Sequence, residues 1–319
     1  MNAQTASSLE FALIARHFTR PSQRVDVVQG IGDDCALLRV PSGMELAITI
    51  DTLVGGVHFL LDSDPYGIGW KTLAVSLSDL AAMGAEPAWA TLALTLPDVN
   101  EPWLQAFSSG LFELADQYNV ALVGGNTSRG PLSIALQAHG FTPPGQAIRR
   151  AGAEPGDLIY VTGTLGDAAV GLDVRLGRLD VPIPPEEAAY LCARLERPEP
   201  RVAAGLALRG IASSAIDLSD GLVADLGHIL KASQVGAVIN LDSIPRSTVL
   251  RGLSVPWEKI VGGGDDYELC FTVPPDRQAL ISPTINKTPI GVIQSEPGIR
   301  WCDAKGHAVR IEATGFRHF

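Results

Sequence analysis

Apolar residues recur at helical spacing in three stretches of the N-terminal half, and each stretch predicts a helix. The first begins at a capping box, in which Ser7 is followed three residues later by Glu10, and it ends at Pro21. The second covers residues 67–83 and the third covers residues 103–118. The N-terminal half is therefore expected to contain three amphipathic or buried helices.

Short apolar and β-branched runs between these helices predict strands. In the N-terminal half they cover residues 45–50, 53–59, 89–96, 120–123 and 133–141. In the C-terminal half, a predicted strand at 158–162 leads through a glycine-rich turn into a predicted helix at 167–176, and strands and helices then alternate irregularly. Mixed strands and helices in both halves predict an α+β fold made of two mixed sheet-and-helix domains.

A turn-rich, polar stretch divides the chain near its middle. Residues 143–145 (PPG) are a turn signal, and the polar residues 149–157 follow them. The length of 319 residues also favours two domains, since single cores stop growing beyond about 250–300 residues. We predict a first domain at residues 1–150 and a second at residues 151–319.

The charge of the chain bears on its partners. A formal net charge of −11 argues against nucleic acid or an anionic membrane as a partner, because lysine and arginine must neutralise phosphates in such complexes. The chain has only five lysines and no G-x-x-x-x-G-K-[ST] loop. Any phosphate chemistry is therefore expected to depend on a metal ion.

The cysteines and the N-terminus indicate a cytoplasmic protein. The four cysteines have neither a C-x-x-C pair nor the spacing of a zinc site or a disulfide framework. The N-terminus lacks the layout of a signal peptide, and charged residues interrupt the longest apolar stretches. We expect a reducing compartment and no membrane segment.

Aspartate or asparagine recurs beside glycine, serine or threonine at the ends of predicted elements. The six segments are residues 32–34 (GDD), 49–52 (TIDT), 76–79 (SLSD), 124–127 (GGNT), 217–221 (DLSDG) and 264–266 (GDD). One such segment alone is more often a turn. However, Asp79 lies on an otherwise apolar predicted helix, and Asp217 and Asp220 stand three apart after the apolar Ile216, where unpaired carboxylates are costly. Oxygen ligands of this kind suit Mg²⁺ or Ca²⁺, and Mg²⁺ is favoured when phosphates complete its coordination.

Residues 162–166 (TGTLG) follow a predicted strand and open a predicted helix. Such a turn could present amide N–H groups to a phosphate. Tight packing of the helix against the strand explains the glycines equally well.

The order of these motifs resembles that of the bacterial thiamine-monophosphate kinases. The resemblance is carried by residues 30–35 (GIGDDC), 51–59 (DTLVGGVHF), 76–85 (SLSDLAAMGA), 123–127 (VGGNT), 217–222 (DLSDGL) and 263–269 (GGDDYEL). It implies an ATP-dependent kinase that converts thiamine monophosphate to thiamine diphosphate, the last step of thiamine diphosphate biosynthesis. It also implies membership of the superfamily of aminoimidazole ribonucleotide synthetase and selenophosphate synthetase. In that superfamily the N-terminal sheet pairs with its copy in a homodimer.

The resemblance further implies roles for individual residues. The expected ligands of several Mg²⁺ ions are Asp34, Thr49, Asp51, Asp79, Asn126, Asp217 and Asp220. The expected ATP contacts are Gly125, Asn126, Arg150 and Ser219. The expected contacts to thiamine monophosphate are His58, Glu268 and Phe316, although residue type alone favours ordinary packing for these three. No catalytic residue beyond the metal ligands is expected, because the acceptor phosphate is already an anionic nucleophile.

Three residues depart from the family pattern. Asn126 replaces a usual aspartate, Ile50 replaces a common hydroxyl residue, and Phe316 stands where tryptophan or another aromatic is typical. An amide oxygen can still bind Mg²⁺ but carries no charge, so one metal ion is expected to bind more weakly. Two alternatives stay open: another ATP-dependent enzyme of the same superfamily, and a regulator that binds Mg-ATP without turnover.

Overall fold

The computed structural model describes residues 11–316 and divides the chain into two compact units. Of the described residues, the first unit contains 11–80 and 86–144, and the second contains 81–85 and 145–316. The predicted capping box at Ser7 and Glu10 lies outside the described residues. Both units combine helices with a sheet, in agreement with the predicted mixture of strands and helices.

The first unit is built on a four-stranded sheet. Its helices are α1 (residues 11–17), α2 (Pro65–Ala82) and α3 (Glu101–Gln117), of which α2 belongs to this unit up to residue 80. Its strands are β1 (Val27–Gln29), β2 (Leu37–Leu38), β3 (Glu45–Val54), β4 (Glu86–Leu96), β5 (Ala121–Arg129) and β6 (Ser133–Thr142). The sheet order is β3-β6-β4-β5, with β4 and β5 parallel and the other pairs antiparallel, while β1 and β2 form a separate ribbon.

Two strand predictions in this unit need correction. The predicted strands at 45–50 and 53–59 are one strand, β3, which ends at Val54, and residues 55–59 form a tight turn in which Gly56 N donates to Phe59 O at 2.8 Å. The predicted strand at 120–123 continues as β5 to Arg129. The pattern underestimated β5 because glycine and polar residues interrupt the apolar run, whereas pairing with β4 maintains the strand.

Helices α2 and α3 cross at two glycines. A Cβ atom on Gly69 would lie 1.9 Å from the carbonyl oxygen of Phe107, and a Cβ atom on Gly110 would lie 1.9 Å from that of Tyr66. Real Cβ atoms do not approach backbone this closely, so the two helix backbones are in direct contact here. This contact sets how closely α2 packs against α3.

The second unit is built on a seven-stranded sheet. Its strands are β7 (Leu158–Thr162), β8 (Ser214–Asp217), β9 (Gly236–Asn240), β10 (Leu269–Val273), β11 (Lys287–Gln294), β12 (Gly298–Cys302) and β13 (Ala308–Val309). Its helices are α4 (Asp167–Arg175), α5 (Pro185–Glu196), α6 (Val202–Ala207), α7 (Leu222–Ser233), α8 (Thr248–Gly252) and α9 (Trp257–Gly262), with short 3₁₀ helices at Leu241–Ser243 and Pro275–Leu280. The strand order is β13-β12-β9-β11-β7-β10-β8, in which only β12 and β9 are parallel.

One buried cluster joins the sheet of the second unit to its helices. Ile159 and Val161 of β7 point into it from one face of the strand, and Leu222, Leu226 and Ile229 enter it from α7 at helical spacing. Strands β7, β8 and β10 are aligned so that Thr162, Asp217 and Leu269 lie at the same edge of the sheet. The segments that follow Thr162 and Asp217 and the segment that precedes Leu269 are therefore neighbours.

Among residues 11–316, no helix combines the length and the apolar content needed to cross a membrane. The cytoplasmic location remains a prediction from the sequence.

Replacing Gly110 with alanine is expected to destabilise the first unit. The added methyl group has no space at the α2–α3 contact, and overpacking of this kind costs about 1–3 kcal/mol. Urea unfolding of the variant and the wild type measures the difference in the free energy of unfolding.

Gly227→Ala is the matched control. Gly227 lies within α7, and its added Cβ atom would meet nothing within 4 Å. Alanine in an open helical position is expected to stabilise by up to about 1 kcal/mol. Equal effects of the two substitutions would contradict the direct contact between the helix backbones.

Candidate active site

In the first unit, strand β3 and helix α2 bring four predicted or neighbouring polar side chains together. Thr49 and Asp51 are two apart on β3 and share the face that alternation turns inward, while Ser76 and Asp79 are three apart on α2 and share a helix face. The Ser76 hydroxyl donates to Asp51 Oδ2 at 2.6 Å, and the Thr49 hydroxyl donates to Asp79 Oδ2. Two hydroxyl–carboxylate pairs therefore join the strand to the helix.

The carboxylates of Asp51 and Asp79 repel each other. Burial, together with the charge of Asp79, raises the pKa of Asp51 to about 6, and the hydrogen bond from Ser76 opposes this rise. A cation beside the pair would remove the repulsion and keep Asp51 ionised. The donor set consists of oxygen atoms, so the chemistry of the pair fits Mg²⁺.

The described part of the chain, residues 11–316, contains no group of three or more His, Cys, Asp or Glu side chains already arranged as a metal site. The Asp51–Asp79 pair is accordingly a partial ligand set. Mg²⁺ bound by one or two carboxylates usually keeps waters and takes phosphate oxygens from a substrate. The pair is consistent with a metal ion that binds together with a nucleotide.

A cavity of about 690 Å³ lies within the first unit. It is lined by residues of α1, by the loop at residues 30–36 and by residues 122–127 of β5, and it includes Asp34, Gly125 and Asn126. The structure therefore places three of the predicted ATP and metal residues on one cavity. Its volume lies in the range of about 300–1,000 Å³ that small-molecule sites occupy.

Gly125 allows β5 to run close to β4 beside this cavity. Its φ is +155°, and a Cβ atom there would lie 1.9 Å from the carbonyl oxygen of Leu92. Any other residue would collide with the backbone of β4. The neighbouring Asn126 is exposed.

His58 lies in the turn that follows β3. Its Nδ1 accepts the N–H of Val54 at 3.0 Å, so the proton of the neutral ring is on Nε2. The Nζ atom of the buried Lys71 lies 3.5 Å from the His58 carbonyl oxygen. The ring is thus oriented by the end of the same strand that carries Asp51.

In the second unit, the predicted metal-binding segment 217–221 pairs with the segment 265–269. Leu218 N donates to Glu268 O at 2.8 Å, and Asp265 N donates to Ser219 O at 2.9 Å. These bonds continue the pairing of β8 with β10 beyond the strand ends. Two motifs that are about 45 residues apart in sequence are therefore adjacent.

Asp225 contacts this segment and was not found by sequence analysis. Its buried carboxylate accepts the N–H groups of Asp220 and Gly221, both at 3.0 Å from Oδ2. Burial raises the pKa of Asp225 to about 7, and the backbone N–H donors oppose this shift. A signal was present in the sequence: an aspartate lies between Leu222 and Leu226 on the apolar face of α7.

Phe316, the predicted aromatic contact of the substrate, lies beside Asp220. Its backbone N–H donates to the Asp220 carbonyl oxygen at 3.0 Å, and 46% of its surface is exposed. Phe316 therefore lies close to a predicted metal-binding residue, and its contact with a substrate stays a prediction.

Glu268, also a predicted substrate contact, is fully buried and already has several partners. Its carboxylate accepts the Thr162 hydroxyl at 2.6 Å, Arg194 at 3.0 Å, and both Nε and a terminal nitrogen of Arg201 at 2.7 and 2.6 Å. The two arginines were missed by sequence analysis. In this arrangement Glu268 holds arginine side chains, and its contact with a substrate stays a prediction.

The turn at residues 162–166 uses its amide groups within the protein. Gly163 N and Leu165 N donate to backbone carbonyl oxygens, and Gly166 N donates to the buried carboxylate of Asp266 at 3.0 Å. Of the two explanations offered by the sequence, the structure shows the tight packing and gives no support to a phosphate cradle formed by these three N–H groups.

Arg150 and Ser219, the remaining predicted ATP contacts, are placed differently. Arg150 is exposed, and its carbonyl oxygen accepts the Ser233 hydroxyl at 3.3 Å. Ser219 is half-buried within the paired segment 217–221. Their contacts with ATP stay predictions.

The fold and these sites define the class of AIR synthase related proteins. The N-terminal domain model of that class matches residues 32–142, and the C-terminal domain model matches residues 154–293. The chain is 52% identical to the thiamine-monophosphate kinase of Salmonella typhimurium, over 97% of this chain and 98% of that protein. The chain belongs to the thiamine-monophosphate kinase family, as its motifs predict.

Solved structures show the same relationship. The thiamine-monophosphate kinase of Stenotrophomonas maltophilia K279a is 47% identical with a TM-score of 0.83, covering 90% of this chain and 93% of that chain. AaThiL complexed with AMPPCP and TMP is 32% identical with a TM-score of 0.79, covering 100% of this chain and 99% of that chain. The similarity thus extends over both units.

Replacing Ser76 with alanine tests the link between Asp51 and a bound cation. A proton and Mg²⁺ compete for the Asp51 carboxylate, so the Mg²⁺ concentration needed for half-maximal binding of AMPPCP is expected to rise as pH falls below about 6. Ser76 lowers the pKa of Asp51. In Ser76→Ala the pKa is higher, and the rise should begin at a higher pH, as measured by calorimetry at several pH values.

Ser108→Ala provides the control for this measurement. Ser108 is a buried helical serine of the same unit, and its hydroxyl donates to the carbonyl oxygen of Gln105 at 3.2 Å. Its loss should leave the pH profile unchanged. Coincident profiles for Ser76→Ala and the wild type would rule out the proposed competition at Asp51.

Proposed function

We propose that this chain transfers the γ-phosphoryl group of ATP to the phosphate of thiamine monophosphate in one direct in-line step. The products are ADP and thiamine diphosphate. The observation that carries this proposal is the 52% identity to a thiamine-monophosphate kinase over 97% of the chain. A relative of the same family, 32% identical over the whole chain, is complexed with AMPPCP and TMP.

Mg²⁺ ions bound with the nucleotide would supply the positive charge that two polyanions need when they approach each other. In the first unit, Asp51, Asp79 and Thr49 would hold a metal ion, while Asp34 and Asn126 line the cavity beside β5, at the other edge of the sheet. In the second unit, Asp217 and Asp220 are the corresponding residues. The raised pKa of Asp51 supports this assignment, because a carboxylate pair of this kind favours a cation.

The acceptor needs no general base. The second pKa of a phosphate monoester is about 6, so its oxygen is an anionic nucleophile at neutral pH. What the chain must do is bind and orient the two substrates and exclude competing water. The proposal therefore assigns polar residues to the phosphates and metal ions and assigns no residue as a general base.

Phe316 and His58 are the residues that we propose for recognition of the thiamine part. The half-exposed ring of Phe316 offers an aromatic face for stacking, and its backbone is bonded to Asp220. His58 has its Nδ1 occupied by Val54 N, which leaves Nε2 as the donor of a neutral ring. Each contact would orient the substrate and would take no part in the phosphoryl transfer.

We also propose that the chain forms a homodimer through the sheet of its first unit. The outward face of β3 carries Leu46, Ile48 and Ile50, which are 39%, 53% and 64% exposed. A row of exposed apolar side chains on an edge strand is a surface that sheets usually cover. The apolar Ile50 thus has an explanation that is separate from metal binding.

Incubation with ATP, Mg²⁺ and thiamine monophosphate is expected to yield thiamine diphosphate, detected by chromatography. Asp79→Asn should lower kcat by about 100-fold or more, because a group that stabilises transition-state charge is lost. Chirally labelled γ-phosphate should be transferred with inversion, as a single displacement requires.

Asp98→Asn is the control, because Asp98 is an exposed aspartate of the first unit that pairs with Arg129 at the surface. Its activity should equal that of the wild type. Binding of ATP without formation of thiamine diphosphate would instead favour a regulator. Retention of configuration would exclude the direct transfer.

Ile50→Glu is expected to weaken the proposed dimer, because it places a charge on the most exposed residue of the apolar row on β3. Sedimentation velocity over a range of concentrations measures the association. Val25→Glu is the control, since Val25 lies outside this row on β3 and is 94% exposed. A wild-type protein that stays monomeric at high concentration would contradict the dimer.

A further inference from the structure

We propose that Asp225 is a positioning residue, which holds the main chain of the turn at residues 217–221 so that the Asp220 carboxylate faces a bound cation. The inference rests on the proposed function, since it takes Asp220 to be a ligand of the nucleotide-bound metal. Asp225 lies outside the motif at residues 217–222. Its hydrogen bonds in the structure suggest its role.

The carboxylate of Asp225 acts on two successive peptide groups. Asp220 N and Gly221 N both donate to the same oxygen, Oδ2, at 3.0 Å. Two N–H groups that converge on one buried acceptor fix the orientation of both peptide groups. Since the Cα atom of Asp220 joins these two peptide groups, the direction in which its side chain leaves the backbone is fixed as well.

The other side of Asp220 is held by the C-terminal segment. Phe316 N donates to the Asp220 carbonyl oxygen at 3.0 Å. Gly315 has a φ of +72°, and a Cβ atom there would lie 2.6 Å from the Cβ atom of Ala224. The segment therefore lies directly against the first turn of α7, and Asp220 is bonded through both its N–H and its carbonyl group.

The earlier part of the turn has a different support. The Leu218 N–H and the carbonyl groups of Leu218 and Ser219 are held by backbone bonds to residues 265–268, which continue the sheet. This pairing does not include the N–H groups of Ser219, Asp220 and Gly221, and Asp225 interacts with all three. Asp225 thus completes the support of the turn where the sheet stops.

The bond from Gly221 N to Asp225 resembles the back-bond of a capping box, whereas the bond from Asp220 N reaches one residue before the cap. The N-cap of α7 is Gly221, and no side chain caps the helix through that residue. Asp225 lies in the first turn but reaches back to N–H groups at and before the cap. Its bonds therefore constrain the turn that carries Asp220 more than they extend the helix.

Gly221 shows how little freedom the turn has. Its φ is +108°, and a Cβ atom on it would lie 2.8 Å from the carbonyl oxygen of Gly263. The turn is confined by backbone on this side and by Asp225 on the other. Loss of Asp225 would leave two N–H groups without their acceptor, and the turn would be expected to rearrange.

The test measures cation binding directly. Mn²⁺ replaces Mg²⁺, and electron paramagnetic resonance follows its binding to the full chain in the presence of AMPPCP. Asp225→Ala should raise the Mn²⁺ dissociation constant by about 10–100-fold, the range seen when a residue that orients a metal ligand is lost. Asp225→Asn keeps an oxygen acceptor for the two N–H groups and should stay within about threefold of the wild type.

Asp157→Ala is the matched control. Asp157 is also buried in the second unit and accepts a backbone N–H, from Glu154 at 3.1 Å, together with the Ser213 hydroxyl at 2.5 Å. It precedes β7 and lies at the edge of the sheet opposite to Asp217. Its loss should lower the thermal stability to a similar extent but leave Mn²⁺ binding unchanged.

Asp225→Leu is the second variant if Asp225→Ala does not fold, because leucine fills the space between Leu222 and Leu226 without an acceptor. An unchanged Mn²⁺ affinity in a folded variant that lacks the acceptor would overturn the proposal, as would a wild type that binds no Mn²⁺ with AMPPCP. A wild type that binds Mn²⁺ and AMPPCP but forms no thiamine diphosphate would refute the proposed function and leave the role of Asp225 standing.

Discussion

The charge repulsion between Asp51 and Asp79 is the interaction that the first unit has to accommodate. Burial and the neighbouring charge raise the pKa of Asp51 to about 6, and the fold keeps the two groups together with one hydroxyl donor for each. Such a pair can be kept only if the strand and the helix that carry it are rigid. The direct backbone contact between α2 and α3 at Gly69 and Gly110 provides that rigidity for the helix.

The second unit holds its acidic residues by a different means. The turn at 217–221 relies on backbone pairing with residues 265–269, on the Asp225 carboxylate and on the N–H group of Phe316. Nearby, the buried carboxylate of Glu268 is neutralised by Arg194 and Arg201. Burial of these charges is tolerated because each carboxylate is surrounded by donors, as buried ionic groups require.

Part of this arrangement was predictable because it depends on local order along the chain. Helices at 67–83, 103–118 and 167–176 were predicted to within two residues of their observed ends, since apolar spacing and glycine stops are local signals. The aspartate motifs and their order predicted the family, which the relatives confirm. The error at residues 53–59 arose because an apolar run can form a turn as readily as a strand when Gly55 and Gly56 interrupt it.

The sequence by itself determined the two-part mixed architecture, the family and the set of acidic residues to examine, because each depends on residue type and order. Only the tertiary structure decided which groups are partners. Glu268 proved to be buried between two arginines that lie 67 and 74 residues away in the chain, and Asp225 proved to hold the Asp220 peptide. The physical reason is that burial and hydrogen-bond partners are set by packing between distant segments, which no local pattern contains.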